Sequence, residues 1–371
     1  AVKDMHISGA RYGKEVGPHA VLHVHEWRAL RRLATGGNLG FSKSYIEGEW
    51  DSPELEKVTE MAARNGQSLK FMLLGNKLVR KFQNLRHRAR DNSRDQARDN
   101  ISYHYDISNE FYASWLDPSM TYSSAVFAEG DDLEAAQYRK YARLLERMDV
   151  KRGDHILEIG CGWGGFAEVA ARDWGANVTG ITLSERQLDF ARERIARAGL
   201  SDKVTFKLVD YRDVQGEFDH IASIEMFEAV GESYWPGYFD SIARMLKPGG
   251  RVGLQFISID DKLFETYRRG ADFIQTYIFP GGMLPPVDRV RALSTDRGLN
   301  ELDHFAFGKD YARTLRIWRE RFEAALKAGQ IAEEFDERFQ RIWRLYLAYC
   351  EGGFNAETIN VRQMVFENSR S

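Results

Sequence analysis

Four side chains able to bind a ligand or a proton each close a short apolar run: Glu158, Thr182, Asp210 and Glu225. The first run, ILEIGCGWGG over residues 156–165, is the most telling, because an acid leads straight into Gly160, Gly162 and Gly164 before helical sequence resumes with FAEVAA at 166–171. Glycines there permit a tight turn and let the backbone approach a ligand. A dinucleotide fold seats a pyrophosphate on the helix N-terminus and favours the spacing G-x-G-x-x-G. Here the spacing is G-x-G-x-G-G, with Glu158 just before it. A carboxylate beside that turn repels a pyrophosphate and attracts a cationic amino-acid head group. The chemistry points to S-adenosylmethionine, with an ordinary tight βα turn as the plain alternative. Glu225 and Glu228 form a second acidic pair, and a carboxylate in apolar surroundings holds its proton more tightly and suits a base.

The elements that must position these residues follow in order. Ile156, Leu157 and Ile159 suit a buried parallel strand. NVTGI at 177–181 reads as a second strand, Thr182 to Gln187 as a capped helix start, and VTFKLV at 204–209 as a third strand ending at Asp210. FDHIASI at 218–224 is the fourth, and residues 246–254 give a turn and a fifth. Ligands in such sheets bind beyond the carboxyl ends of the strands, so Glu158, Thr182, Asp210 and Glu225 should converge on one crevice.

With 371 residues, 43% of them hydrophobic, the chain can bury one large core and has room for a second small domain. No run of about 18 apolar residues and no export-signal pattern is present, which makes the cytoplasm the default. Cys161 and Cys350 stand alone, which argues against a disulfide framework or a cysteine-rich zinc site. A net charge of −3 does not advertise nucleic-acid binding.

Residues 1–76 read as a small, mainly helical N-terminal domain, with helical patterns at 26–33 and 55–63 around a glycine-rich turn. Residues 77–99 carry Lys77, Arg80, Lys81, Arg86, Arg88, Arg90, Arg94 and Arg98 with few acids. This strip is either a solvated hinge or a contact for anionic lipid, where each cation contributes about 1 kcal/mol. Phe71 to Phe82 suits an amphipathic helix lying in a membrane interface or packed on the domain. Residues 100–371 form the main domain. Within it YIFPGGMLP at 277–285 is too apolar for a surface loop and suits the roof of an apolar pocket. Helical pattern runs from Tyr311 to about Tyr349, and residues 358–366 suit a last strand.

Several segments in family order resemble the cyclopropane fatty acid synthase family with its mycolic acid methyltransferase relatives. They are YDISNEFY at 105–112, MTYSS at 120–124, LEIGCGWGG at 157–165, TLS at 182–184 with Gln187, MFE at 226–228, YIFP at 277–280 and residues 346–354 around Cys350. The likeness covers about 100–366, and more weakly SYIEGEWD at 44–51. It implies an α/β class I, Rossmann-like methyltransferase fold with a seven-stranded mixed sheet. It further implies transfer of a methyl group from S-adenosylmethionine to the double bond of an unsaturated acyl chain on a phospholipid. The product is then a cyclopropane or a methyl- or methylene-branched chain; on its lipid-contact reading, the basic strip would rest the enzyme peripherally on the anionic inner face of the membrane. Dimers are common in the family.

Carried over by motif, Tyr105 and Asp106 contact the methionine end, Gly160, Cys161 and Gly162 pass beneath it, and Glu158 faces its ammonium. Tyr122, Thr182, Leu183, Ser184, Gln187 and Glu225 complete the cofactor site, and Asp210 and Tyr211 flank adenine. Methyl attachment leaves a carbocation, which aromatic faces stabilise without capturing. Tyr122, Phe127, Tyr277, Phe279, Tyr346 and Phe354 are the candidates. Cys350 matches a cysteine marked as active in the family, yet a thiolate has no role against a carbocation, so a place in the pocket wall is expected.

The chain departs from the family where the proton leaves. The cyclopropane synthases hold a bicarbonate base with a cysteine, a glutamate, a histidine and a tyrosine; here the matching positions are Ser124, Glu228, Gln255 and Arg319. Either bicarbonate still binds through Ser124, Gln255 and Arg319, or Glu225 or Glu228 takes the proton, and the second reading is preferred. The rival functions are a methyltransferase for a small amine or phenol and a non-catalytic lipid-binding protein.

Overall fold

The computed structural model describes residues 19–66, 107–331 and 335–370. The basic strip at 77–99, the amphipathic segment at 71–82, Tyr105 and Asp106 lie outside them.

Two helices, α1 (Arg28–Ile46) and α2 (Leu55–Arg64), and a short ladder of β1 (His23–Val24) with β2 (Trp50–Asp51) make up the N-terminal part. The glycine-rich turn is present: the helical run breaks at Gly37, whose φ of 59° and ψ of −143° only glycine adopts cheaply, and a second helical stretch runs on to Ile46. Arg341 ties this part to the rest: its buried guanidinium donates to the carbonyls of Tyr45 (2.6 Å) and Trp50 (3.0 Å) and to Asp51 (2.9 Å).

After α3 (Asn109–Ala113), capped by Ser108, and α4 (Leu133–Arg147), capped by Asp132, the sheet begins. Its strands are β3 (His155–Ile159), β4 (Asn177–Thr182), β5 (Val204–Leu208), β6 (Phe218–Ile224), β7 (Leu246–Ile259), β8 (Leu299–Ala306) and β9 (Ile359–Asn368). They lie in the order β5-β4-β3-β6-β7-β9-β8, with β9 antiparallel to both neighbours and the remaining pairs parallel. The seven-stranded mixed sheet implied by the sequence is therefore present. The edge strand β8 went unread, because LNELDHFA buries little besides Leu299 and looks like surface sequence.

Helices α5 (Gly165–Asp173), α6 (Glu185–Arg197) and α7 (Trp235–Met245) cross between the parallel strands. The insertion after β7 folds into α8 (Asp261–Tyr267) and α9 (Phe273–Tyr277), and α10 (Val287–Thr295) leads into β8. The long C-terminal pattern is two helices, α11 (Gly308–Lys327) and α12 (Glu337–Asn355). One aromatic core, with Phe111, Trp115, Trp318, Trp343 and Leu345, joins α3, α11 and α12 to α1 and α2. Burial on that scale stabilises by roughly 1.5–3 kcal/mol per large side chain, and it fixes where α11 presents its residues to the sheet. No helix among the described residues is long and apolar enough to cross a membrane.

Candidate active site

Two cavities meet at the carboxyl ends of β3, β4 and β6. The smaller, about 140 Å³, is walled by Glu158, Gly160, Cys161, Gly162, Thr182, Leu183, Gln187, Tyr211 and Glu225. The glycine loop is strapped to the end of β4, where the Ile181 carbonyl accepts from the amides of Gly160 (3.0 Å) and Cys161 (2.9 Å). Gly164 has a φ of 82°, and a Cβ there would press on Ala191 and Phe206 at 3.1 Å. At Gly162, φ 51°, a Cβ would have no protein atom within 4 Å. Ser184 caps α6 by accepting from the Gln187 amide (3.3 Å), while Thr182 donates to the Gln187 side chain (3.0 Å).

Glu158 is buried, and one of its oxygens has no hydrogen-bond partner among the described residues. Burial pushes its carboxyl well above the ordinary carboxylate range, although Arg194 and Lys140 oppose the shift. A buried, under-satisfied acid beside an open glycine turn fits the ammonium of S-adenosylmethionine. Cys161 packs in the same loop with its thiol pushed up by burial, which suits a wall and not a nucleophile.

The larger cavity holds about 890 Å³, within the range of sites that enclose extended small molecules. Tyr122, Phe279, Tyr346, Phe354 and Cys350 line it, and Tyr122 donates to the Tyr346 hydroxyl (2.8 Å). The segment 279–284 closes one side, held by a hydrogen bond from the Met283 amide to the Glu228 carbonyl (2.8 Å). The N-terminal part supplies another wall through Asn38, Phe41, Trp50 and Val58. Tyr122, Glu225 and Ala229 border both cavities.

Glu225 sits just past β6 with φ at 51°, a left-handed backbone that costs a non-glycine residue about 1 kcal/mol or more. Its carboxylate is gripped by three donors: the Ser124 amide (2.8 Å), Gln255 Nε2 (2.7 Å) and the Tyr311 hydroxyl (2.6 Å). Burial pushes its carboxyl up, while Tyr311, Lys140, Gln255 and Ser124 pull it back. Glu228 faces the larger cavity and accepts from the Ile257 amide, but its second oxygen has no partner among the described residues. Burial, helped by the charge of Glu225, pushes Glu228 up to about 8. Both acids are pushed up by burial, but Glu225 is held by three donors that favour its ionised form while Glu228 has one amide donor and the charge of Glu225 against it.

Several residues named from the sequence lie elsewhere. Arg319 does not reach Ser124 or Gln255; its guanidinium pairs with Glu351 (2.9 Å) and Glu56 (3.7 Å) where α11 meets α2. The Tyr277 ring packs on Phe273, centroids 5.6 Å apart, and Phe127 lies under Arg313; neither lines the larger cavity. Asp210 receives the Arg212 guanidinium (2.6 Å) and stays out of the smaller cavity, which Tyr211 lines, so three of the four strand-end residues converge. Ser124 and Gln255 line neither cavity and act by holding Glu225. Cys350 is a cavity-wall residue with its thiol pushed up by burial.

Sequence reading missed Tyr311, Lys140 and Gln363. Lys140 carried a signal, because it falls between Ala136 and Leu144 on the buried stripe of α4. Its ammonium donates to Ser123 (2.6 Å) and is pushed down by burial.

A family model described as mycolic acid cyclopropane synthetase matches residues 92–364. The tuberculostearic acid methyltransferase UfaA1 of Mycobacterium tuberculosis is 42% identical over 353 residues, covering 92% of this chain and 82% of that protein. The cyclopropane-fatty-acyl-phospholipid synthase of Escherichia coli K12 is 37% identical, covering 91% and 85%. Among solved structures, mycolic acid cyclopropane synthase CmaA1 complexed with SAH and CTAB superposes with a TM-score of 0.68 at 28% identity, covering 73% of this chain and 98% of that one.

Proposed function

The chain belongs to the mycolic acid cyclopropane synthetase family, and from that premise we propose that it methylates the double bond of an unsaturated acyl chain on a phospholipid, with Glu225 as the base. It is an S-adenosylmethionine-dependent C-methyltransferase that modifies lipid acyl chains. When bound, S-adenosylmethionine supplies an electrophilic methyl group on a sulfonium.

Glu158 would pair with the ammonium, Gly160 and Gly162 would let the backbone pass close beneath, and Thr182 and Gln187 would hold the ribose side. Methyl transfer would draw on the alkene π pair for the new carbon–carbon bond at the expense of the sulfur–methyl bond, and would leave the positive charge on the neighbouring acyl carbon. Tyr122, Phe279, Tyr346 and Phe354 surround that cation with π faces and keep water out. Glu225 then takes a proton, and the released C–H pair closes either a third ring bond or a new double bond.

The observation that carries this reading is the donor set at the junction of the cavities. Ser124 N–H, Gln255 Nε2 and Tyr311 Oη all point at the Glu225 carboxylate. Three donors around an acceptor-only anion form a bicarbonate-like site already filled by the chain's own side chain. With the base fixed to the protein, proton loss to a new double bond, giving a methylene branch or a methyl branch on a chain that stays unsaturated, is favoured over ring closure. Turnover in carbonate-free buffer should equal turnover with added bicarbonate, and mass spectrometry with NMR of lipid methylated from labelled S-adenosylmethionine should show a branch. A strict bicarbonate requirement with a cyclopropane as the sole product would overturn the reading.

Residues 1–76 in this reading are an N-terminal domain that helps enclose the acyl chain, and 77–99 a basic strip meeting anionic lipid at the membrane surface. Sedimentation with anionic vesicles, lost on charge reversal at Arg80, Lys81 and Arg86, tests that part.

A further inference from the structure

Gln255 and Gln363 are direct Cα partners in the antiparallel ladder of β7 and β9, and both side chains are fully buried. Amides at sheet positions that ordinarily carry aliphatic side chains lose stability unless every polar atom is matched. Here they are matched in one direction. Arg143 of α4 lies over Phe305, 4.4 Å from the ring centroid, anchored by its Nη2 to Asp303 (2.6 Å). Its Nη1 donates to Gln363 Oε1 (2.9 Å). Gln363 Nε2 donates to Gln255 Oε1 (3.0 Å) and to the Lys140 carbonyl (3.0 Å). Gln255 Nε2 donates to Glu225 Oε1 (2.7 Å) and to the Ser124 carbonyl (3.3 Å).

The polarity of this chain follows from its ends. A guanidinium has no acceptor, so Gln363 must turn its oxygen to Arg143 and its NH₂ to Gln255. Gln255 must then turn its oxygen to Gln363, which leaves its NH₂ for a carboxylate that has no donor. Flipping either amide would set two oxygens or two NH₂ groups against each other.

We propose that Gln363 and Arg143 are positioning residues that hold the Gln255 amide with its N–H on Glu225, so that a cation at the sheet edge keeps the base ready to accept a proton. The inference rests on Glu225 being the base. The groups facing Glu225 are Lys140 from α4, Tyr311 from α11, Cys350 from α12, the Ser124 amide, and Glu228 on its own segment. Gln255 differs from the rest in having a direction that a remote residue sets.

Two variants of the full chain test this, assayed with S-adenosylmethionine and an unsaturated phospholipid. Gln363→Glu gives Arg143 its acceptor but offers no N–H, so Gln255 turns its NH₂ away from Glu225. Arg143→Met releases the amide order from a partly exposed site and guards against a fold defect in the first variant. For both, the acid limb of the kcat profile should move up by about one pH unit, with about tenfold loss on the acid side that is regained as pH rises. The Kd for S-adenosylmethionine should stay within about twofold. An unmoved limb in folded protein, or an equal loss at every pH, overturns the proposal.

A second readout needs no turnover. The infrared carboxyl band of Glu225, assigned by its disappearance in Glu225→Gln, should persist to higher pH in both variants. If the band moves while Glu225→Gln still turns over, the base reading fails and the relay stands. If Glu225→Gln is inactive and the band does not move, the relay alone fails.

Discussion

The Tyr311 hydroxyl donates to Glu225 across 2.6 Å, tying the first turn of α11 to the residue that follows β6. A neutral phenol favours the ionised carboxylate, and burial keeps this phenol neutral by pushing its pKa well up. Tyr311→Phe removes that donor without changing shape. Its kcat should fall about tenfold on the acid side of the pH profile and recover as pH rises, with S-adenosylmethionine affinity unchanged in calorimetry.

Glu228 governs how stability depends on pH. Its folded pKa of about 8 lies above the ordinary 4.5. Between those values the folded chain keeps a proton that the unfolded chain has released, so the neutral acid's contribution is present below about 4.5 and drains away as pH climbs toward 8. The slope approaches about 1.4 kcal/mol per pH unit from this group. Calorimetric Tm of Glu228→Gln should fall less steeply over that window than the native Tm, and parallel curves would remove Glu228 as the cause.

Cofactor binding should expel a proton. Burial raises the Glu158 carboxyl, and an arriving ammonium would favour its anion and lower it again. Titration calorimetry in buffers of different ionisation enthalpy should show net proton release on S-adenosylmethionine binding. Glu158→Gln should abolish the release and weaken binding by about tenfold or more.

Cys161 and Cys350 should resist iodoacetamide at pH 7.5 in the native protein and react once it is unfolded in urea. Both thiols are pushed upward by burial, and the thiolate is the reacting form. Mass spectrometry of the alkylated peptides reads this directly, and rapid native labelling of Cys350 would reopen a nucleophilic role.

Legibility tracked how local each constraint is. The loop at 160–165 could be read because its glycines answer a backbone demand a few residues long, and Glu158, Glu225 and Glu228 because acids after apolar strands stand out. Arg319 misled because motif position does not say which turn of a long helix reaches the site. Packing of Trp318 and Phe322 against the aromatic core brings Tyr311, two turns earlier, to Glu225. Gln363 was hidden for a similar reason: it becomes a partner of Gln255 only through the register of β9 on β7. Tyr277 and Phe127 show that an aromatic in the right segment still needs a direction.

The wall formed by Tyr122, Glu225 and Ala229 belongs to both cavities. If the proposed occupancy holds, the methyl donor and the lipid tail would meet the same three residues from opposite sides, which would make them thermodynamically linked ligands. Each should tighten or loosen the other by the same factor, whichever arrives first. A lipid-free protein would then report a donor affinity different from the one that operates during turnover.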